Sequence, residues 1–205
     1  TDTRRYLLTM KLCTLSRKLL SNNNLVAYAK PYLKRLSILF MEVTCLSVEQ
    51  EMSVVYVATY DGPDHMLKTF SYVGKRAPMH CTGSGKLLLT NYTDEQLADY
   101  LHKKGNLKPT ANTITSYKEL KNELNQIQSQ QYSIDNEECE IGMRCVAVPI
   151  RDYTGSIVAG LSVTGPSARM TLEKINKHLP QLFRDGTELS ILLGYNADLP
   201  PSDLN

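Results

Sequence analysis

Along the chain, hydrophobic positions recur first at helical spacing, then at every second residue, and then at helical spacing again. Leu8, Leu12, Leu15 and Leu19, with Lys11, Arg17 and Lys18 between them, predict an amphipathic connector that Asn22, Asn23 and Asn24 interrupt. A second helix is expected from about Leu25 to Met41, with Leu25, Ala29, Leu33, Leu36 and Phe40 on one stripe and Pro31 either early in it or kinking it. The period then changes to two. Residues 43–48, 53–60 and 66–73 are rich in Val, Tyr and Thr and are punctuated by Asp61-Gly62-Pro63, which reads as antiparallel strands with turns.

Beyond the small-residue turn His80-Cys81-Thr82-Gly83-Ser84-Gly85, helical spacing returns with visible starts. Thr93 with Gln96, and Ser116 with Glu119, fit the capping box, in which side chain and backbone satisfy each other's free donors. Leu97 and Leu101 form the stripe of the first helix, and Leu120, Leu124 and Ile127 that of the second. Strands are expected again over 132–136, 145–150 and 156–164, the last two joined by a turn at 152–155. A closing helix starts near Thr171 and keeps Ile175, Leu179, Leu182, Gly186, Leu189 and Leu193 on one face. Strands, helices, strands and a helix with short connections predict an α+β domain on a largely antiparallel sheet. Only 198–205 reads as unstructured.

Length and charge refine this picture. The 205 residues suit one larger domain or two small ones. The net charge is only +2, yet residues 1–40 hold eight of the 23 Lys/Arg and one acid, Asp2, which places a basic arm beside a mildly acidic body. Five cysteines at irregular spacing give no disulfide framework and no C-x-x-C pair, which points to a reducing compartment. No segment approaches the roughly 20 apolar residues of a membrane span, and the N-terminus lacks a signal peptide's order, so a cytoplasmic protein without a membrane partner is expected. The chain starts without Met at what reads as the end of a strand, and an upstream domain is expected.

The stretch from His80 to Leu89 resembles a phosphate loop at first sight. His80 and Leu87 occupy two of the fixed P-loop positions, so nucleotide binding is not expected. Thr82 and Lys86 stand where a nucleophile elbow around Ser84 needs glycine. Two readings stay open: a helix start whose free amides attract an anion, or a tight turn.

On the last strand Ile157, Ala159, Leu161 and Val163 share one face, and Val158, Gly160, Ser162 and Thr164 the other. The hydroxyl face reads first as solvent-exposed and alternatively as a pocket floor. Asp135 ends a strand-like segment where a carboxylate can meet a ligand hydroxyl, and Cys145 starts the next as a small buried residue or a functional thiol. His80, Cys81, Cys139 and Cys145 are the right types for zinc but lack a standard spacing. A hydrolase using Cys145, His80 and Asp135 is a further alternative, and a purely structural dimerisation module another.

Three separated stretches carry a resemblance. APMHCTGSGKLLL, YSIDNEECEIGMRCVAVPIRDYTG and VAGLSVTGPSAR resemble, in order and spacing, the effector-binding domain of IclR-type bacterial transcriptional regulators, and the resemblance covers nearly the whole chain. It implies a GAF-like curved antiparallel sheet flanked by helices, with an N-terminal linker helix, and a pocket on one sheet face for small organic acids or related metabolites. It implies a ligand sensor, not an enzyme, with no cofactor, forming homodimers or tetramers and reaching DNA through a winged helix-turn-helix domain absent from this chain. Residues 1–22 then correspond to the end of the wing and the linker helix, 23–196 to the effector domain and 197–205 to a tail.

Carried across by motif, the effector-binding positions fall on Gly83, Ser84, Asp135, Cys145, Ser162 and Thr164. Ser84 stands where alanine or isoleucine is frequent in the family, Thr164 replaces a frequent serine, and Gln131 replaces the glycine before Tyr132. A more polar ligand is expected from the added hydroxyl, a sugar acid or short keto acid over a bulky aromatic.

Overall fold

A computed structural model of the chain describes residues 25–63 and 71–196. The connector over 8–19, the wing and linker assigned to 1–22 and the tail lie outside the described residues.

Helix α1, Leu25–Phe40, buries Ala29, Leu33, Leu36 and Phe40, the stripe its spacing predicted, and holds Pro31 inside it. Strands β1, Val43–Glu49, and β2, Val54–Tyr60, follow as a hairpin. The expected strand over 66–73 is not found where it can be judged: 64–70 lie outside the described residues and 71–73 are not extended into a ladder. The third strand is instead the two-residue β3, Arg76–Ala77, paired to the start of β2.

Three helices come next. Helix α2, Gly83–Leu89, is short and wholly buried; α3 spans Asp94–Lys104 and α4 Tyr117–Gln130. Thr93 and Gln96 complete the expected capping box on α3. On α4 the box is half made: Ser116 accepts from the Glu119 amide, but the Glu119 carboxylate takes the Ser116 hydroxyl, at 2.8 Å, in place of the backbone N–H. Then β4, Ser133–Asn136, β5, Met143–Arg151, and β6, Ile157–Pro166, lead into α5, Leu172–Leu192, capped by Thr171.

The six strands of the described residues form one antiparallel sheet in the order β3-β2-β1-β6-β5-β4, so the two strand clusters meet at β1 and β6. One face packs on α1 and α5 through Leu46, Ala58, Val146, Val148, Ile150, Ala159, Leu161 and Val163. The other carries α2, and behind it α3 and α4, through Leu87, Leu88, Leu89, Leu97, Tyr100, Leu120, Leu124 and Ile127. Helices on both sides of an antiparallel sheet make this an α+β fold. The face sorting of β6 holds from Ala159 onward but fails at its start. A register shift between Ile150 and Arg151 turns Ile157 toward the α2 cluster and Val158 toward the α1 side, as an inserted residue does.

Candidate functional site

Residues opposite each other in an antiparallel ladder share a face, so the registers define rows across the sheet. The first row runs Asp135, Cys145, Thr164, Val43; the second Ser133, Ala147, Ser162, Cys45, Thr59; the third Pro149, Gly160, Ser47, Tyr56. These rows lie on the face that α2 covers. Ser162 is 1% exposed and Gly160 is buried, so the solvent-exposed reading of this hydroxyl face is overturned: a helix lies over it.

The glycine turn is what lets α2 come so close. A Cβ on Gly160 would sit 2.7 Å from the Ser84 side chain, and one on Gly85 would sit 2.4 Å from the Met79 backbone. The turn is anchored from behind by Tyr100, whose hydroxyl accepts from the amides of Met79 and His80. Thr82 sends its hydroxyl to the Pro78 carbonyl, so no side chain caps the first turn of α2. Gly83 faces Cys145 and Ala147, with a Cβ there reaching Cys145 Sγ at 3.3 Å.

The structure therefore brings Gly83, Asp135, Cys145 and Thr164 together at one end of the covered face, with Ser162 in the next row. Ser84 sits one residue further into the helix, against Gly160. Its buried hydroxyl, like that of Ser133, has no hydrogen-bond partner among the described residues. Unpaired buried hydroxyls are costly, and a ligand or water is the usual way to satisfy them.

Charge is arranged around Asp135. Its Oδ1 accepts from the Glu138 amide at 2.8 Å and the Cys139 amide at 3.3 Å. Burial nevertheless pushes its carboxyl up to about 7, against the pull of those two amides, with nearby Glu138 adding to the rise and Lys86 opposing it. Lys86, fully buried, reaches Glu138 at 2.6 Å, Glu123 at 2.8 Å and the Ile134 carbonyl at 2.8 Å. Burial disfavours its charge, but two carboxylates facing one ammonium hold its pKa above the ordinary lysine value. Burial raises Glu138 in turn, and its Oε2 has no partner among the described residues. Burial also pushes the Cys145 thiol up to about 12, with Asp135 adding to it and Thr164 and Ser162 hydrogen-bonding against it.

These features remove two alternatives. A thiol at about 12 is not a nucleophile at neutral pH. Both His80 ring nitrogens are occupied, Nδ1 by the Tyr100 hydroxyl at 2.7 Å and Nε2 by the Leu107 carbonyl at 2.8 Å. The same bonds take His80 out of a zinc set, and no group of three or more His, Cys, Asp or Glu among the described residues is placed to hold a metal ion.

Tyr56, Cys45 and Ser47 share these rows and were not expected there from the sequence. Burial pushes the Tyr56 hydroxyl well above its ordinary value, with Cys145, Cys45, Cys139 and Asp135 all close enough to contribute. The signal was available in the alternation of β1 and β2, but the register shift between Leu46 and Ser47 sets which β2 residue comes opposite Ser47. A carboxyl, a partly buried phenol, hydroxyls and backbone amides on one covered face can hold a small polar molecule by hydrogen bonds.

The family model described as bacterial transcriptional regulator IclR C-terminal matches residues 17–191. The transcriptional regulator KdgR of Dickeya chrysanthemi is 34% identical over 95% of this chain, which spans 64% of that relative's length. The crystal structure of the Thermotoga maritima IclR superposes with a TM-score of 0.78 at 32% identity, covering 95% of this chain and 78% of that one. An inducer-binding domain of PobR from Acinetobacter, a double mutant in complex with 3-hydroxybenzoic acid, superposes with a TM-score of 0.74 at 27% identity, covering 80% of this chain and 96% of that one. Among the described residues no helix is long and apolar enough to cross a membrane.

Proposed function

Because the chain belongs to the IclR C-terminal family of bacterial transcriptional regulators, a family of regulators and not of enzymes, we propose that it is the small-molecule-sensing domain of a DNA-binding regulator. The observation that carries this reading is the convergence of Asp135, Cys145, Thr164 and Ser162 on the sheet face under α2, beside two buried hydroxyls that lack partners among the described residues. Gly83 and Ser84 complete the proposed site from the helix side.

The ligand is proposed to be a small organic acid or sugar acid. Hydroxyls and a phenol supply donors, and Asp135, held near neutrality, can donate to a ligand carboxylate when protonated or accept from a ligand hydroxyl when ionised. The complex of the PobR domain with a hydroxybenzoic acid supports the acid class. Ser84, with its unpartnered hydroxyl, favours a ligand more polar than an aromatic ring.

In the full-length protein, which we place in the cytoplasm, residues 1–22 are the proposed end of a DNA-binding wing and linker helix, 23–196 the sensing domain and 197–205 a tail. Ligand would favour one arrangement of the linkers in a homodimer or tetramer, and so one spacing of the DNA-binding domains. That requires a difference in affinity between two states, since equal binding shifts nothing.

A thermal-shift panel of pyruvate, gluconate and 3-hydroxybenzoate tests the reading, because a ligand that binds only the folded state raises apparent stability. A saturable rise with gluconate or pyruvate that is lost in Ser162→Ala is expected. No shift with any of the three, in folded metal-free protein, points instead to a structural dimerisation module.

A further inference from the structure

The third row of the sheet does not end at Tyr56. Tyr56 donates its amide to the Lys75 carbonyl at 3.1 Å, and its own carbonyl accepts from the Gly74 amide at 2.8 Å, so two residues stand opposite one. Gly74 lies at φ +90°, and a glycine in that conformation ahead of the paired residue makes a bulge of the kind that re-aims a side chain at a sheet edge. A Cβ on Gly74 would meet nothing within 4 Å, so the position needs glycine for its backbone and not for space.

Two relations set the side of the sheet on which Lys75 lies. It stands opposite Tyr56, and it comes two residues before Ala77, which pairs with Val54. Val54, Tyr56 and Ala77 all pack in the cluster on the α2 side. Arg76, between Lys75 and Ala77, is exposed and donates to the Gln50 carbonyl at 2.6 Å and the Glu51 carboxylate at 3.2 Å, whereas Lys75 is half-buried. Lys75 therefore extends the row in which Gly160 meets Ser84, whose hydroxyl lacks a partner among the described residues. Burial pushes the Cys45 thiol, one row over, up to about 12, and a hydrogen bond to Ser71 and the Lys75 charge both pull against that rise.

A ligand carboxylate on this covered face needs a cation. Lys86 cannot supply it, because Glu138, Glu123 and the Ile134 carbonyl take its three donors. Asp135 and Glu138 gather carboxyls on and just after β4, at the opposite edge of the sheet from β3, so the ligand's own carboxylate is favoured away from them. Resting on the sensor reading above, we propose that Lys75 binds the carboxylate of the acid effector and so fixes its orientation, with the carboxylate toward the β3 edge and the polar remainder toward Ser162 and Asp135. The ammonium on its four-carbon stem meets the anion as a point charge, which selects an acid over an uncharged molecule of the same shape.

Calorimetric titration of gluconate and of pyruvate into the wild-type chain, Lys75→Met and the neighbouring control Arg76→Met tests this. Whichever acid binds the wild type should bind Lys75→Met about tenfold or more weakly, as loss of one partner of a charge pair requires, and Arg76→Met as tightly as the wild type. In the wild-type chain a saturating concentration of that acid should also protect Lys75 from acetylation by acetic anhydride, mapped by peptide mass, which decides even where a variant fails to fold. Equal affinity in Lys75→Met, an equal loss in Arg76→Met, or Lys75 acetylated as fast with the acid as without it overturns the assignment of Lys75 and leaves the sensor reading standing. No binding of either acid to the folded wild type overturns both.

Discussion

Asp135 shows how one residue can set what the proposed site recognises. Its carboxyl accepts two backbone amides on Oδ1, which favours the charged form, yet burial outweighs them and holds the group near neutrality. A carboxyl poised at about 7 binds more protons in the folded chain than in the unfolded one across the range between the ordinary aspartate value and 7. Its contribution to stability is therefore present below the unfolded value and is lost as pH rises through 7, amounting to at most about 4 kcal/mol across that range. Glu138, raised by burial, acts in the same direction, while His80, lowered by burial, destabilises as pH falls. Asp135→Asn keeps both amide bonds and removes only the titration. Denaturant midpoints should match wild type near pH 4 and exceed it at pH 8; a difference that does not change with pH would contradict the assignment.

Elements meet here through close approach as much as through hydrophobic pattern. Gly160→Ala drives a methyl group into Ser84 and should cost about 1–3 kcal/mol by overpacking, read as a fall in thermal midpoint, with Ser84→Gly in the same chain recovering part of it. Helix α4 ends on Gln131 at φ +63°, a left-handed position where a side chain costs about 1–2 kcal/mol and glycine costs little. Gln131 partly offsets that cost by accepting from Arg151 at 2.7 Å and donating to the Gln128 carbonyl. Gln131→Val, which loses both bonds and adds a β-branch, should lower the urea midpoint, and Gln131→Gly should leave it at or above wild type. Thr93→Ala breaks the α3 capping box and should cost about 1 kcal/mol, visible in the same titration.

The helices and most strands were legible in the sequence because a 3.6 or 2.0 period follows directly from which side is buried. The stripe of α1 and the start of α5 at Thr171 came out as spacing and capping dictated. What periodicity could not carry was register. The shift at Ile150/Arg151 reverses Ile157 and Val158, and the one at Leu46/Ser47 brings Tyr56 into the site rows. The hydroxyl face of β6 read as exposed because Gly160, Ser162 and Thr164 are small and polar. Those same properties let a buried helix lie against it, and alternation alone cannot separate the two cases.

At the scale of the molecule, the two strand clusters close on β1 and β6, and the proposed site lies between that sheet and α2, reached from residues spread between 45 and 164. A ligand held there touches both halves of the chain and can favour one arrangement of them over another, which a sensor needs. Lys86, buried between Glu123, Glu138 and the Ile134 carbonyl, ties α2 to α4 and to the loop that supplies the amides for Asp135. Replacing it leaves the buried Glu138 carboxylate unpaired, a loss of about 3–5 kcal/mol. Lys86→Met should therefore unfold at clearly lower denaturant, with the loss smaller at pH 5 than at pH 8 because Glu138, raised by burial, can then take up a proton.

Asp135 and the hydroxyl rows beneath α2 are proposed to bind a small polar acid. Calorimetric titration of gluconate and of pyruvate into the wild-type chain and into Asp135→Ala tests it most directly. A saturable heat in the wild type with at least one of the two acids, weakened about tenfold or more in the variant, a loss of roughly 1.4 kcal/mol, is the result predicted. Equal affinity for that acid in both chains, or no heat from either acid with the folded wild type, would contradict it.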